Sequence, residues 1–243
     1  MALRVACLTL GPLETNCYVL ADEDTAEAVI VDPGYEAARI RAALNDAGLQ
    51  AKAIWLTHAH FDHVGAVADL VETMPLPVYL HPDDRPLYEH ATEQAAAYGL
   101  TVRSPRQPTE PLSHGQHLHV GAHVARCLHT PGHAPGHVVF AFGDEKLVLC
   151  GDTVFAGSIG RTDLLFADHA TLLRSIREQL LTLPDETLLY PGHGPSTTVG
   201  AERRANPFLT SSLPSSGRDR VDTDSPRSSC PPRERFGFSA RGS

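Results

Sequence analysis

Residues 57–63 bring together several side chains that bind metal ions. Three histidines and one aspartate, His58, His60, His63 and Asp62, fall within six residues directly after the apolar run 53–56. Side chains alternate faces along a strand, so a strand that ends here points His58 and His60 the same way. Imidazole nitrogens and carboxylate oxygens spaced this closely are typical ligands of borderline divalent metals, above all zinc. A purely structural loop has no need of four such groups.

Three later positions share this setting, because each follows an apolar run and lies in a turn rich in glycine. They are His133 in 130–137, Asp152 in 150–153 and His193 in 190–195. Seven groups exceed what one tetrahedral ion binds, and they suit two ions that share a bridging carboxylate. The expected division is a first triad, a second triad and a bridge: His58, His60 and His133; Asp62, His63 and His193; and Asp152. A water or hydroxide shared by the two ions becomes a nucleophile at neutral pH.

Composition narrows the classes of partner. The chain has 243 residues, a formal net charge of −9, 42% hydrophobic residues and 20% charged residues, which is ordinary for a globular protein. A chain of negative charge is poorly suited to a nucleic-acid backbone or an anionic membrane surface. The charge does not exclude a small anionic molecule as substrate, because such a molecule responds to the local field of a site and its metals, and the sequence leaves the oligomeric state open.

The cysteines and the apolar runs indicate a compartment. Five cysteines are scattered with no CxxC pair, which is a poor disulfide framework and fits a reducing environment. The first ten residues are too short in their apolar part for a signal peptide, and no apolar run approaches a membrane span. A cytoplasmic protein is the expectation.

Apolar periodicity predicts strands that precede the metal-binding turns, with helices after them. In the first half the expected strands are 5–10, 17–20, 28–31, 53–56 and 77–80, and the expected helices are 36–47, 64–73 and 82–98. In the second half the expected strands are 116–120, 123–128, 138–142, 146–149 and 187–189, with a helix at 170–181. The proline-containing segment 101–114 is predicted to cross irregularly between the halves. Two strand-rich halves favour sheets packed face to face with helices outside.

The chain divides near position 210. Residues 1–210 are expected to form one domain. Residues 211–243 are dominated by Ser, Pro, Arg, Asp and Gly without apolar periodicity. Such a segment buries too little apolar surface to offset its ordering entropy, so a disordered tail is predicted.

Four motifs, taken in order, resemble those of the metallo-β-lactamase-fold hydrolases. They are HxHxDH at 58–63, TPGHxPGH at 130–137, GDTVF at 151–155 and YPGHGP at 190–195. The loop GSIGRTDL at 157–164 and the stretch ERRANPF at 202–208 are similar to the short-form glyoxalase II-like branch, which is hydroxyacylglutathione hydrolase-like. The resemblance runs from about residue 3 to residue 209. It implies an α/β fold, a four-layer αββα sandwich made of two similar halves, with the dinuclear site at one edge.

This resemblance implies a thioester hydrolase whose leading substrate is an S-(2-hydroxyacyl)glutathione such as lactoylglutathione. The catalytic group is then a metal-bound hydroxide held by Asp62 and Asp152. A thiol with a pKa of about 8.5 leaves readily as thiolate, so no dedicated side-chain acid is required. Two divalent ions are implied, with zinc first and iron or manganese accepted by the same ligands.

The resemblance fixes the substrate less firmly than the fold. The longer glyoxalase II enzymes carry a further C-terminal helical region whose basic residues help to hold glutathione, and the residues after 209 do not resemble it. Arg161, in the glycine-rich loop after Asp152, is a candidate substrate contact for an anionic group. A structural salt bridge is the alternative role for the same side chain.

Other functions remain open on this evidence. A mononuclear-iron glutathione persulfide dioxygenase shares the fold and the Gly160-Arg161-Thr162-Asp163 stretch, and its ligands here are His58, His133 and Asp152. A lactamase, a lactonase or an RNA-processing nuclease is a more distant relative, and a non-catalytic interaction protein belongs to another class.

The remaining polar residues near these motifs receive supporting roles. Asp32 is interpreted as a carboxylate that orients a ligand, and His137 as a hydrogen-bonding support rather than a ligand. The other histidines lack a strand-end context and are predicted to be surface or hydrogen-bonded residues: His81, His90, His114, His117, His119, His123, His129 and His169.

Overall fold

The computed structural model of the protein describes residues 2–105 and 108–210. The predicted tail 211–243 lies outside the described residues, and the division at residue 210 stays a prediction. Among the described helices, none is long and apolar enough to cross a membrane.

The first half of the chain forms a six-stranded sheet in sequential order. Strands β1 to β3 pair antiparallel, and β3 to β6 pair parallel. The strands are β1 (Leu3–Leu10), β2 (Thr15–Asp22), β3 (Glu27–Val31), β4 (Gln50–Trp55), β5 (Val78–Leu80) and β6 (Glu110–Pro111). The short β6 lies within the segment predicted to be an irregular crossing. That prediction was wrong here, because the backbone at 110–111 completes the sheet beside β5.

The second half forms another six-stranded sheet, in the order β14-β13-β10-β9-β8-β7. Its pairings are antiparallel except for the parallel pair β10 and β13. The strands are β7 (His117–Val120), β8 (His123–His129), β9 (Val138–Phe142), β10 (Leu147–Gly151), β13 (Leu188–Pro191) and β14 (Thr197–Thr198). A small hairpin of β11 (Val154–Phe155) and β12 (Ser158–Ile159) follows β10.

Most helices follow the predicted positions. They are α1 (Ala37–Asp46), α2 (Phe61–Val64), α3 (Val67–Thr73), α4 (Arg85–Glu89), α5 (Ala91–Ala97), α6 (His169–Ser175), α7 (Val199–Ala205) and α8 (Pro207–Thr210), with a 3₁₀ turn at Pro82–Asp84 and a π-helical turn at Ile176–Leu180. The predicted helix 64–73 begins only at Val67, because α2 ends at Val64 and the backbone N–H of Ala66 donates to the carbonyl of Pro33 at 2.9 Å. A Cβ at Gly65 would lie 2.4 Å from the carbonyl oxygen of Gly34. The backbone around Gly34 therefore passes too close to Gly65 for a side chain at that position.

Apolar residues form three buried clusters, and these define the layers. One cluster lies between the sheets, where Trp55 of β4 contacts Phe140 of β9 with ring centroids 5.2 Å apart. A second packs α1 and α3 against the first sheet, through Ile40 and Leu70 among others. A third packs α6 against the second sheet. The order helix, sheet, sheet, helix confirms the four-layer sandwich expected from the resemblance.

The two halves also meet at one edge through backbone contacts. The amide of Asn16 donates to the carbonyl of Gly192 at 2.7 Å, and the hydroxyl of Tyr18 donates to the carbonyl of Pro191 at 2.7 Å. Thr15 and His193 form an isolated antiparallel bridge. These contacts fix the 190–194 turn of the second half against the start of β2.

Candidate metal centre

The seven predicted ligands lie on segments that follow strands of both sheets. His58 and His60 follow β4, and α2 begins directly after them. The other three segments follow β8, β10 and β13 in the second sheet. The structure brings all seven side chains into one cluster at this edge of the sandwich: His58, His60, Asp62, His63, His133, Asp152 and His193.

The first triad is compact and buried. One nitrogen from each of His58, His60 and His133 lies within 4.8 Å of the other two. Nδ1 of His60 is 2.9 Å from Nε2 of His133, and the rings of His58 and His133 have centroids 4.9 Å apart. Three imidazoles at these separations can share one ion.

The second triad has one carboxylate and two imidazoles within the same 4.8 Å limit. Oδ2 of Asp62 is 3.2 Å from Nε2 of His193 and 3.7 Å from Nε2 of His63. The hydroxyl of Thr15 donates to the same Oδ2 at 3.0 Å and thereby orients the carboxylate.

Asp152 contacts both triads. Its Oδ1 is 3.4 Å from Nε2 of His63, while its Oδ2 is 3.5 Å from Nε2 of His133 and 3.6 Å from Nε2 of His193. The carboxylate therefore lies between the two triads and contacts histidines of both.

Hydrogen bonds at Nδ1 decide which nitrogen most of these histidines offer to an ion. Nδ1 of His63 faces Asp32 Oδ2 at 3.0 Å, Nδ1 of His133 faces the carbonyl of Arg161 at 2.8 Å, and Nδ1 of His193 faces the carbonyl of Leu13 at 3.1 Å. These partners only accept, so each Nδ1 carries a proton, and Nε2 is the nitrogen that each of these rings can offer to an ion.

His58 is oriented through an additional hydroxyl. Thr57 donates its hydroxyl to Asp32 Oδ2 at 2.6 Å and so accepts from Nδ1 of His58 at 3.0 Å. Asp32 also accepts from the backbone N–H of Thr57 at 2.8 Å. One carboxylate thus orients His58 and His63 together, which is the orienting role expected for Asp32.

Burial lowers the pKa of each histidine in the first triad. The pKa of His58 falls well below its ordinary value, and the neighbouring His63 and His60 add to the effect of burial. The pKa of His60 falls to about 3, and that of His133 is also lowered. The three rings are neutral at neutral pH, so their lone pairs are available to a cation.

In the second triad, nearby carboxylates raise the pKa of each histidine instead of lowering it. Burial acts to lower the pKa of His63, but the charges of Asp152 and Asp62 outweigh it and raise that pKa well above its ordinary value. The pKa of His193 is raised in the same way, against its burial. Burial acts to raise the pKa of Asp62, yet His63 and His193 lower it to about 2. Opposed charges therefore hold this set together, and a divalent cation can take the place of the protons.

Unsatisfied buried atoms provide a test of whether metal ions fit. Nε2 of His58, Nε2 of His63 and Oδ1 of Asp152 are buried without a hydrogen-bond partner among the described residues. Leaving such atoms unpaired costs about 1–3 kcal/mol each. The first atom belongs to the first triad, the second to the second triad, and the third to the carboxylate between them. Two divalent ions would therefore give all three atoms a partner. The residues present fit a pair of metal ions.

His137 supports the site without offering a nitrogen to it. The hydroxyl of Thr130 donates to the carbonyl of His137 at 3.4 Å and accepts from its Nδ1 at 3.1 Å. Nε2 of His137 accepts the backbone N–H of Asp152 at 3.1 Å. Both ring nitrogens are occupied, and the ring stacks on His58 with centroids 4.8 Å apart.

Arg161 lies in the loop after β12, with its side chain exposed at the surface. Its Nε and Nη2 each donate to Asp163 at 2.9 Å, so the salt bridge left open by the sequence is present. The charge of Asp163 and a contact with Tyr98 raise the pKa of the guanidinium. The carbonyl of the same residue orients His133.

A further group of potential ligands lies where β5 and β8 end: His81, Asp83 and His129. The two rings stack with centroids 4.2 Å apart and planes 7° from parallel. Imidazole lone pairs lie in the ring plane, so parallel stacked rings cannot both point at one ion. The prediction that His81 and His129 lack a strand-end context was wrong, because β5 ends directly before His81 and β8 ends at His129.

The remaining histidines, which were predicted to be surface or hydrogen-bonded residues, differ in how deeply they are buried. His123 is buried and contacts Glu145. Five are exposed: His90, His114, His117, His119 and His169. None of these six belongs to a group of three potential ligands among the described residues.

Two adjoining sets of His and Asp ligands at the edge of a two-sheet sandwich define a metal-dependent hydrolase. The family model of the metallo-beta-lactamase superfamily matches residues 10–193, and the chain belongs to that superfamily.

Curated relatives match almost over their whole length. The probable metallo-hydrolase YqgX of Bacillus subtilis (strain 168) is 41% identical over 203 residues, which are 83% of this chain and 95% of that protein. The hydroxyacylglutathione hydrolase GloC of Haemophilus influenzae is 36% identical over 211 residues, which are 86% of this chain and 99% of that protein.

Solved structures agree with the fold. TTHA1623 in a di-iron-bound form is 50% identical with a TM-score of 0.79, covering 84% of this chain and 100% of that one. The B3 metallo-beta-lactamase BLEG-1 is 41% identical with a TM-score of 0.81, covering 86% and 100%. ETHE1 from Myxococcus xanthus is 29% identical with a TM-score of 0.71, covering 87% and 86%.

Proposed function

We propose that this metal-dependent hydrolase cleaves thioesters, with an S-(2-hydroxyacyl)glutathione such as lactoylglutathione as the leading substrate. The observation that carries the proposal is the contact of one carboxylate, Asp152, with histidines of both triads. This arrangement suits two divalent ions, zinc first and iron or manganese as alternatives. GloC, a hydroxyacylglutathione hydrolase that this chain matches over 99% of its length, supports the choice of substrate.

The chain's own residues would prepare such a reaction. The first triad would hold one ion and the second triad the other, and two bound ions supply Lewis acidity and lower the pKa of a shared water. Thr15 orients the carboxylate of Asp62, and His137 fixes the backbone of Asp152. A thiolate is a good leaving group, so these residues need to supply positioning rather than a proton.

The first prediction tests this function directly. Purified protein loaded with zinc is expected to release free thiol from lactoylglutathione and to lose that activity after dialysis against a chelator. Activity should return when zinc, iron or manganese is added back. Thiol release is followed with a chromogenic thiol reagent, and a β-lactam serves as the comparison substrate because BLEG-1 is a similar protein. Thiol release that survives complete metal removal would contradict the proposal.

A mononuclear-iron glutathione persulfide dioxygenase is the second candidate. Its ligands would be His58, His133 and Asp152, and the last two lie 3.5 Å apart between Nε2 and Oδ2. The similarity to ETHE1 fits this candidate as well. A complete second triad and the di-iron-bound TTHA1623 support the hydrolase instead. One iron per chain together with oxygen consumption on a persulfide would favour the dioxygenase.

We propose that the partner is a small molecule, with neither nucleic acid nor membrane, and that Arg161 contacts its anionic end. The guanidinium has five N–H donors, and the bidentate pair with Asp163 uses two of them. The donors that neither Asp163 nor Tyr98 engages are left for a carboxylate. Because the net charge of −9 repels an anionic substrate, a local cation would help to attract it.

The second prediction concerns Arg161→Ala. The change keeps the backbone carbonyl that orients His133, so metal content should be unchanged. Loss of an exposed charged contact of about 1.4 kcal/mol would raise KM for lactoylglutathione roughly tenfold with little change in kcat. Steady-state kinetics measure both constants. Arg174→Ala is the matched control, because Arg174 is exposed on α6 and donates to the hydroxyl of Thr171 rather than to a group of the candidate site. Equal KM values in the two variants would show that Arg161 does not contact the substrate and that its role is the salt bridge with Asp163.

A further inference from the structure

The segment between β5 and β6 contains a buried carboxylate that none of the metal-binding motifs includes. Asp84 ends the 3₁₀ turn after His81, and its exposed fraction is 0%. Its Oδ2 accepts the backbone N–H of Ala59 at 2.9 Å, and its Oδ1 accepts the backbone N–H of Gly136 at 2.5 Å. Ala59 lies between two ligands of the first triad, and Gly136 lies three residues after the third.

The contact with Gly136 is close enough to require glycine. A Cβ built there would lie 2.6 Å from the backbone nitrogen of Asp84 and 3.0 Å from its Cβ. The 130–137 turn therefore packs directly on the backbone of the 3₁₀ turn. A carboxylate in this position joins a loop of the first sheet to a loop of the second.

Gln94 of α5 holds the same stretch from a second direction. Its Oε1 accepts the backbone N–H of Phe61 at 3.3 Å, and its Nε2 donates to the carbonyls of Leu87 at 2.6 Å and Ala59 at 3.4 Å. Ala59 and Phe61 alternate with His58, His60 and Asp62 along the chain. Fixing the alternate backbone groups fixes the directions in which the ligands project.

We propose that Asp84 is a positioning residue that sets the separation between the His58/His60 loop and the His133 loop, with Gln94 holding the first of these loops. The two loops come from different sheets, and the whole first triad depends on their distance. The second triad does not contain His133 and takes its third ligand from the 190–194 turn, which is fixed by Asn16 and Tyr18 instead. Asp84 therefore acts on one ion more than on the other.

The carboxylate is needed because both of its oxygens accept. An asparagine has the same shape but offers only one acceptor, and its NH₂ group would face one of the two backbone N–H donors. Asp84→Asn is therefore expected to separate the loops with almost no change in volume. Asp83→Asn is the matched control, because Asp83 is the preceding residue and is exposed.

The third prediction is a metal titration of these variants. This inference rests on the proposed function only in that the triads bind metal, and thiol release is not its readout. Metal-free full-length protein is titrated with cobalt(II), and visible absorption follows each of the two sites because a three-histidine site and an aspartate-containing site give different spectra. Asp84→Asn should weaken binding at the first triad by roughly 10- to 100-fold, the range typical for groups that orient ligands. Binding at the second triad and the circular dichroism spectrum should stay as in Asp83→Asn.

Two outcomes would overturn the proposal: wild-type affinity at both sites in folded Asp84→Asn, or an equal loss at both sites. Where Asp84→Asn does not fold, Gln94→Glu decides by the same titration. A glutamate at position 94 keeps the acceptor for Phe61 but cannot donate to the carbonyls of Leu87 and Ala59. Selective weakening of the first triad would then support the proposal, and unchanged affinities would contradict it. A protein that binds two cobalt ions but hydrolyses no thioester would refute the proposed function alone.

Discussion

Asp152→Ala is expected to lower kcat/KM for thioester hydrolysis by more than about 100-fold. Replacing a group that only orients a ligand costs roughly 10- to 100-fold in metal affinity or activity, and Asp152 contacts three ligand histidines itself. Without it the two triads lose their common carboxylate, and the opposed charges that hold His63 and His193 are reduced. The measurement is steady-state thiol release, with metal content determined by elemental analysis on the same sample.

Two further variants test this first case. Asp152→Asn keeps the shape but removes the negative charge, and it should lose nearly as much activity as the alanine variant because an amide is a poor bridging ligand. Asp144→Asn is the matched control, because Asp144 is exposed in the turn between β9 and β10. Asp152 variants that retain two ions and wild-type kcat/KM would show that the carboxylate does not bridge.

The positions of the seven ligands could be anticipated because their signals are local. Each ligand lies in a short motif, and an apolar run before the motif indicates the strand that delivers it. His193 illustrates this, since the turn 190–195 follows the apolar residues Leu188 and Leu189. The layers could be anticipated in the same way, from the alternation of strands and helices and from the resemblance of the motifs.

Features that depend on distant parts of the chain could not be anticipated. The late start of α3 at Val67 depends on Pro33, whose carbonyl accepts the backbone N–H of Ala66, 33 residues further along the chain. The role of Asp84 depends on Gly136 in the turn between β8 and β9, at a sequence separation of 52 residues. An aspartate in a proline-containing turn resembles many surface aspartates, so its sequence carries no sign of its burial.

Gly192→Ala is expected to abolish binding at the second triad, although it adds only one methyl group. A Cβ at position 192 would lie 2.1 Å from Oδ1 of Asp152 and 2.6 Å from Cε1 of His63. The backbone cannot retreat, because the amide of Gly192 donates to Gly151 at 2.8 Å and its carbonyl accepts from Asn16 at 2.7 Å. The methyl group must therefore displace the carboxylate of Asp152 or the ring of His63.

The expected result is one ion per chain instead of two, with thioester hydrolysis falling as far as in Asp152→Ala. Overpacking of this kind costs about 1–3 kcal/mol of stability, so the variant should remain folded with a lowered Tm. Elemental analysis, thermal unfolding and thiol release measure the three effects. Gly143→Ala is the matched control, because nothing lies within 4 Å of a Cβ at that position. Binding of two ions by Gly192→Ala as tightly as by Gly143→Ala would contradict this prediction. The added methyl group would then not disturb the second triad, and the ligands of the second ion would have to be reassigned.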